Sequence, residues 1–204
     1  MKFLILLITL LSLAEARKTV VKLATLAPEG TEWHGMLMEM GQEWRKTSKK
    51  SVQLRVYPGG VIGDERDMVR KMRIGQIHAA AITTEGLSEI VPDFSAYFVP
   101  LAFQNSEDID IVTDALLPDL EQKLEINGFK LLHLGELGWA YWFSSKPLRT
   151  PNDLKKMKIF TWAGDFKWER LWEKAGYNPV PLASVDILSG LQTGLINTYS
   201  NIPL

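Results

Sequence analysis

The chemistry open to this chain is set by where its carboxylates, histidines, glycines and large rings fall. Residues 57–65, YPGGVIGDE, make a glycine-rich turn of the kind that can cradle phosphate. They lack both the Lys-Ser/Thr of a P-loop and the G-x-G-x-x-G spacing of a dinucleotide site. Ser144, Ser145 and Lys146 do not have the S-x-x-K spacing of acyl-transfer enzymes and stand where a strand end is expected. The carboxylate pairs Asp64/Glu65 and Asp108/Asp110 fall at helix starts, where the helix dipole favours negative charge by about 0.3–1 kcal/mol. Neither requires an acid–base role. His34, His78 and His133 lie far apart, none has a neighbouring Ser or Lys in a nucleophile setting, and there is no cysteine. Disulfides are therefore impossible, no zinc-ligand spacing occurs, and no metal or cofactor is expected.

The rings are a different matter. Of the seven tryptophans, four crowd into WAYWF (139–143) and IFTWAGDFKW (159–168), together with one tyrosine and three phenylalanines. On the strand expected there, Met157, Ile159 and Thr161 face one way and Lys158, Phe160 and Trp162 the other. Phe160 and Trp162 then either fill a second interface of the core or wall a ligand.

The elements that must position these residues alternate. TVVKLATLA (19–27) reads as a strand, and a helix from Thr31 carries Trp33, Met36, Leu37, Met40 and Trp44 at core spacing. SVQLRVYP is a strand, Asp64 and Asp67 open a helix that Gly75 ends, and IHAAAITT is a small-residue strand buried on both sides. Asn105 starts a long helix that Pro118 should kink or divide. FKLLHLG and WAYWFSS follow as strands, Thr150, Pro151 and Asp153 cap a short turn before MKIFTW, and a helix from Asp165 ends at Gly176. NPVPL, a helix from Ser184 and LINTYS complete the series. Such alternation predicts a parallel-rich α/β sheet covered by helices on both faces, with a passage between two lobes near residues 135–145.

With 204 residues, 46% hydrophobic and 23% charged, the composition is that of a globular protein, and a net charge of −1 excludes the basic footprint of nucleic-acid binding. Lys2, the run FLILLITLLSL and AEA have the order of a secretory leader cleaved after Ala16. The apolar run falls short of the about 20 residues that a spanning helix needs, so no membrane anchor is expected once it is removed. The divisions are thus a leader over 1–16, a first lobe over 17–135 and a second over 136–204.

Five stretches in order resemble the solute-binding subunit of TRAP (tripartite ATP-independent periplasmic) transporters, of the DctP type. They are KLATLAPEGTEWHG, VYPGGVIGDERDMVRKMRIGQIHAA, IVPDFSAYFVPLAF, KPLRTPNDLKKMKI and NPVPLASVDILSGLQTGLIN. The resemblance implies two α/β lobes closing on a ligand cleft, no catalysis, a periplasmic location, a small-molecule solute and TRAP membrane permease subunits as partners. Family chains run well past residue 204, so a fold truncated at its C-terminus is expected. Family members usually carry an arginine where this chain has Phe160, gripping the solute carboxylate, and often a second at Ala140. With both replaced, the resemblance implies a cleft for an apolar, aromatic or neutral solute. It also carries Trp33, His34, Glu65, Thr84, Trp139, Phe160, Trp162 and Asn201 onto that cleft. The alternative is an exported, receptor-derived module that docks another protein through an aromatic groove.

Overall fold

β1 (Thr19–Thr25) is the centre of a three-stranded parallel sheet, flanked by β2 (Val52–Tyr57) and β3 (Ala79–Ala81). Its second half, Leu23 to Thr25, is buried because it is paired on both sides. These elements belong to a computed structural model that describes residues 18–99 and 102–202. The leader read at 1–16 and its cleavage after Ala16 lie outside the described residues. Helix α1 (Glu32–Thr47) begins at Thr31, which accepts from the His34 amide, and packs along β2. Gly41 permits the close approach: a Cβ there would stand 3.0 Å from Cβ of Leu54.

Helix α2 (Glu65–Arg73) follows β2, and the short α3 (Thr84–Ser88) follows β3. A 3-10 stretch over Pro92–Phe98 and the long α4 (Ser106–Ile126) close the first lobe. Asn105 caps α4 by accepting from the Asp108 amide at 2.9 Å. Val69, Leu87, Ile90, Val91, Phe94, Leu120 and Leu124 form the main core cluster, and Ala24, Met68 and Ile77 a second one beside it.

The second sheet has the order β4-β7-β5-β6, built from β4 (Tyr141–Ser144), β5 (Lys158–Trp162), β6 (Asn178–Leu182) and β7 (Thr198–Asn201). β5 runs parallel to both β6 and β7, and β4 lies antiparallel on the outer side of β7. The two prolines of NPVPL fit because β6 is an edge strand that pairs only with β5. Short α5 (Pro151–Leu154), α6 (Phe166–Lys174) and α7 (Ile187–Thr193) supply the helical connections. The Asp153 carboxylate accepts from both the amide and the hydroxyl of Thr150, which holds its pKa below the usual carboxylate value.

Several sequence expectations are corrected. FKLLHLG forms no strand; Phe129, Leu131 and Leu134 instead lie against the first-lobe core as irregular chain. Its apolar side chains answer to burial, not to a ladder partner. Pro118 sits inside an unbroken α4. It is exposed, as is Asp114 four residues earlier, so the carbonyl it leaves free reaches water. The small-residue strand is three residues at a sheet edge, only half-buried, and not covered on both faces. The α1 stripe contains no buried residue, and Trp33 keeps 39% exposure, because the helix has only the edge strand β2 beneath it. Among the described residues, no helix is long and apolar enough to cross a membrane.

Candidate functional site

The two lobes meet where three helix starts converge. In an α/β fold the crevice lies beyond the carboxyl ends of parallel strands, and here the starts of α2, α3 and α6 follow β2, β3 and β5. Asp64, Glu65, Arg66, Glu85, Gly86 and Glu89 come from the first lobe, and Trp162 and Ala163 from the second. They enclose a cavity of about 30 Å³, room for a water or two and not for a larger solute. The lobes touch here, Arg66 reaching Asp165 and Ser184 reaching Asp64.

Glu65, the first residue of α2, is buried and accepts from the Thr83 amide and the Thr83 hydroxyl, both at 2.7 Å. Burial raises its pKa, and the Thr83 bonds oppose that rise. Gly86 is required beside it: a Cβ at 86 would stand 2.6 Å from Oε2 of Glu65. Thr83 also caps α3 by accepting from the Glu85 amide at 3.2 Å. One threonine thus ties α2 to α3 and aims Glu85 at the cleft.

Across the cleft stands Asp165, 5% exposed, the cap of α6, accepting from the Trp168 amide at 3.3 Å. Burial, and then the negative charges of Asp165 and Glu65, push Glu85 up to about 8. Arg66 spans the same gap, with Nε 2.8 Å from Oε1 of Glu89 and Nη2 3.6 Å from Oδ1 of Asp165. A third bridge runs from Ser184, whose amide donates to Oδ1 of Asp64 at 3.1 Å and whose hydroxyl donates to the same oxygen. Among the described residues, no group of three or more His, Cys, Asp or Glu is placed to hold a metal ion. The guanidinium of Arg66 offsets part of the negative charge here.

Of the residues singled out in the sequence, the structure brings Glu65 and Trp162 into this lining. Phe160 lies behind it: the residue is 9% exposed, and its ring meets that of Trp162 edge-on at 4.9 Å. No open aromatic groove remains at that position. Thr84 lies between the capping Thr83 and Glu85 but is not in the lining. Trp33 is half-exposed on α1, and Nδ1 of His34 accepts from the Gly30 amide at 3.3 Å, a local turn contact. Trp139 is exposed ahead of β4, and Asn201 pairs with Tyr141 in the sheet and accepts from the Ile202 amide. The structure does not bring these last four to the cavity.

Sequence reasoning missed Arg66, Glu85, Glu89, Asp165 and the cross-lobe use of Asp64. Each carboxylate had a sufficient local reason at a helix end, and their shared location is a property of topology. A signal was present: strands followed by helices with acidic starts, whose ends a parallel sheet gathers at one edge.

Residues 23–203 match the family model of the bacterial extracellular solute-binding proteins, family 7. The chain is 26% identical to a solute-binding protein of Roseobacter denitrificans over 93% of its own length and 58% of the relative's. It is 26% identical to the 2,3-diketo-L-gulonate-binding periplasmic protein YiaO of Escherichia coli, over 77% of this chain and 48% of that one. A TRAP periplasmic solute-binding protein from Roseobacter denitrificans, solved with bound L-galactonate, superposes with a TM-score of 0.78 at 25% identity, covering 91% of this chain and 62% of that chain. One from Sulfurospirillum deleyianum with bound succinate gives 0.79 at 19% identity, over 91% and 60%. The chain thus spans roughly half to three-fifths of the length of the relatives it matches. Members of this family are solute receptors and not enzymes. With its two α/β lobes, its acid-lined crevice and the match over residues 23–203, the chain belongs to the bacterial extracellular solute-binding proteins of family 7, the DctP type of TRAP receptor.

Proposed function

We propose that this chain serves a TRAP-type secondary transporter as its periplasmic receptor, taking a small solute between its lobes and delivering it to the membrane permease subunits. The observation that carries the reading is the crevice itself, where helix starts from both lobes meet around a cavity bridged by Arg66. The assignment of 17–135 to the first lobe and 136–204 to the second is supported by two sheets that share no strand. Export through a leader cleaved after Ala16 is supported by its sequence order and by the family's periplasmic members.

The solute class follows from what the crevice lacks. Phe160 occupies the strand position where the family's carboxylate clamp is expected, and Ala140 the second one. Arg66 is already engaged by Glu89 and Asp165. A bound acid would face Asp64, Glu65, Glu85 and Glu89 without a free cation in that lining. Leaving a buried charge unpaired costs about 3–5 kcal/mol, roughly a hundred- to several-thousand-fold in affinity. The solute is accordingly neutral, apolar or aromatic. The neighbours lend that preference no support, since their bound ligands are acids such as L-galactonate and succinate.

Calorimetry decides between them. Neutral and aromatic compounds are expected to bind at least a hundredfold more tightly than L-galactonate, D-glucuronate or succinate. Sub-micromolar binding of one of these acids, surviving Phe160→Ala, would overturn the solute class. Absence of any small-molecule binding across a thermal-shift screen would overturn the receptor reading itself.

A further inference from the structure

We infer that the first lobe carries a lipid-facing patch, a basic surface built on the turn between α1 and β2 that settles on the anionic headgroups of a bilayer. From residue 44 to residue 63 the chain has five cations, Arg45, Lys46, Lys49, Lys50 and Arg55, and no carboxylate. The fold gathers them. Arg45 and Lys46 end α1, and the turn folds back on them, the Lys49 amide donating to the Lys46 carbonyl at 3.2 Å and the Lys50 amide to that of Arg45 at 2.7 Å. Lys18 joins from the start of β1, where the Thr19 amide donates to the Ser51 carbonyl at 2.8 Å. Leu54 faces Gly41 of α1, so its neighbour Arg55 stands on the face of β2 that α1 leaves uncovered.

All six of these residues are exposed. Among the described residues the patch holds one ion pair, Lys46 with Glu43 at 3.8 Å, and both side chains stay largely in water, where such a pair neutralises little. The helix dipole accounts for Arg45 and Lys46 at the end of α1. It does not account for Lys18, Lys49, Lys50 or Arg55, which lie outside the helix. Lys49 and Lys50 also have φ of +51° and +70°, the left-handed backbone that glycine or asparagine adopts at less cost. Strain borne by two charged side chains where glycine would relax it points to a use for the charge.

The composition of the patch selects the partner. A protein interface is centred on desolvated aromatic and aliphatic anchors and is poor in lysine. Four of these six cations are lysines, and the stretch from Arg45 to Val56 contains no aromatic residue. A cluster of about four to eight Lys and Arg is what an anionic lipid surface attracts, each cation near it raising binding about fivefold. The lobe carries the opposite charge elsewhere: α4 has seven carboxylates and one lysine, and it packs on a core cluster to which α1 contributes nothing. A negative surface therefore attracts one side of the lobe and repels another, which orients it. The turn leads into the amino end of β2, whereas the crevice lies beyond the carboxyl ends of β2 and β3, so a lobe seated this way keeps its crevice in solution.

The test uses the whole chain and vesicles of phosphatidylcholine, with and without about one third phosphatidylglycerol. The readout is the ratio of the two partition coefficients, in which any apolar attraction of residues 3–13 cancels. No solute is added, so failure here leaves the receptor reading standing. At low salt a ratio of at least about a hundred is expected, falling towards one as the Debye length shrinks to about 3 Å at 1 M. Lys49→Gln combined with Lys50→Gln keeps an ordinary side chain at both positions and is expected to lower the ratio about 25-fold, about fivefold for each cation. Lys167→Gln combined with Lys174→Gln removes the same charge from exposed sites on α6, more than a Debye length from the patch, and is expected to lower it less than about twofold. Equal losses from the two double variants would overturn the patch. A parent ratio within about twofold of one would overturn the lipid partner and assign the cations to an acidic protein surface.

Discussion

The two lobes use their large side chains in opposite ways. In the first, Phe94, Leu120 and Leu124 vanish into one cluster, and the helices around them carry their apolar stripes inward. In the second, the most ring-rich stretch of the chain is a surface: Trp139 just ahead of β4 and Tyr141, Trp142 and Phe143 along it all stay exposed, and β4 is an edge strand paired only with β7. The rings there find each other instead. Trp142 meets Trp172 edge-on at 6.1 Å, and Phe143 stacks on Tyr199 at 5.4 Å. Ring density along a sequence therefore says that a face is adhesive and leaves open whether the fold covers it.

The sharpest way to break that contrast is to remove one large ring from each lobe. Phe94→Ala should cost about 3–5 kcal/mol, because Phe94 is fully buried and the hole it leaves is lined by side chains that cannot all follow. Trp142→Ala should cost about 1 kcal/mol or less, mostly its edge contact with Trp172. Denaturant melts compare them. Equal losses would mean that β4 is core in solution.

A second test is set at the cleft. Gly86→Ala places a Cβ 2.6 Å from the Glu65 carboxylate, and overpacking of that kind costs about 1–3 kcal/mol. Its melt should shift well below that of Gly75→Ala in its lobe if close packing, rather than glycine's backbone freedom, governs the site. At Gly75, with φ at +71°, a Cβ has open space around it and only the backbone conformation is at stake.

Thr161 offers a change of opposite sign in the second lobe. Its hydroxyl is buried with no hydrogen-bond partner among the described residues. Thr161→Val keeps the shape and removes that group, so a gain of up to about 1 kcal/mol is expected in a thermal melt. A loss would show that the hydroxyl has a water partner in solution.

The smallest effect on stability, and the most telling about β4, belongs to Trp142→Ser. Contiguous exposed rings favour association. Light scattering should show less self-association for this variant than for the parent chain, and unchanged association would exonerate the strand.

How legible all this is in the sequence follows the range of the forces involved. The caps at Thr31, Asn105 and Thr150 and the strands β1, β2 and β5 depend on residues within a few positions, and the sequence reading places them where they occur. Phe129, Leu131 and Leu134 mimic a strand, since their burial is imposed by a cluster that also draws on Phe94 and Leu120. The cleft was the least legible. Glu65 and Trp162 were among the residues singled out in the sequence, whereas Arg66 and Asp165 lie far apart along the chain and meet only because the topology of two sheets brings α2 and the start of α6 together.

Asp64 draws a last consequence from the bridge to Ser184. It stands at the capping position of α2 with extended backbone, yet its side chain makes no bond to its own helix; its Oδ1 is taken by Ser184 of the other lobe. A cap of this type is worth about 1 kcal/mol to a helix. When the lobes part, the carboxylate can turn back to the α2 amides, so part of what opening loses is returned within the same side chain. Such compensation lowers what opening costs at this point of contact, so less binding energy is needed to move the lobes here.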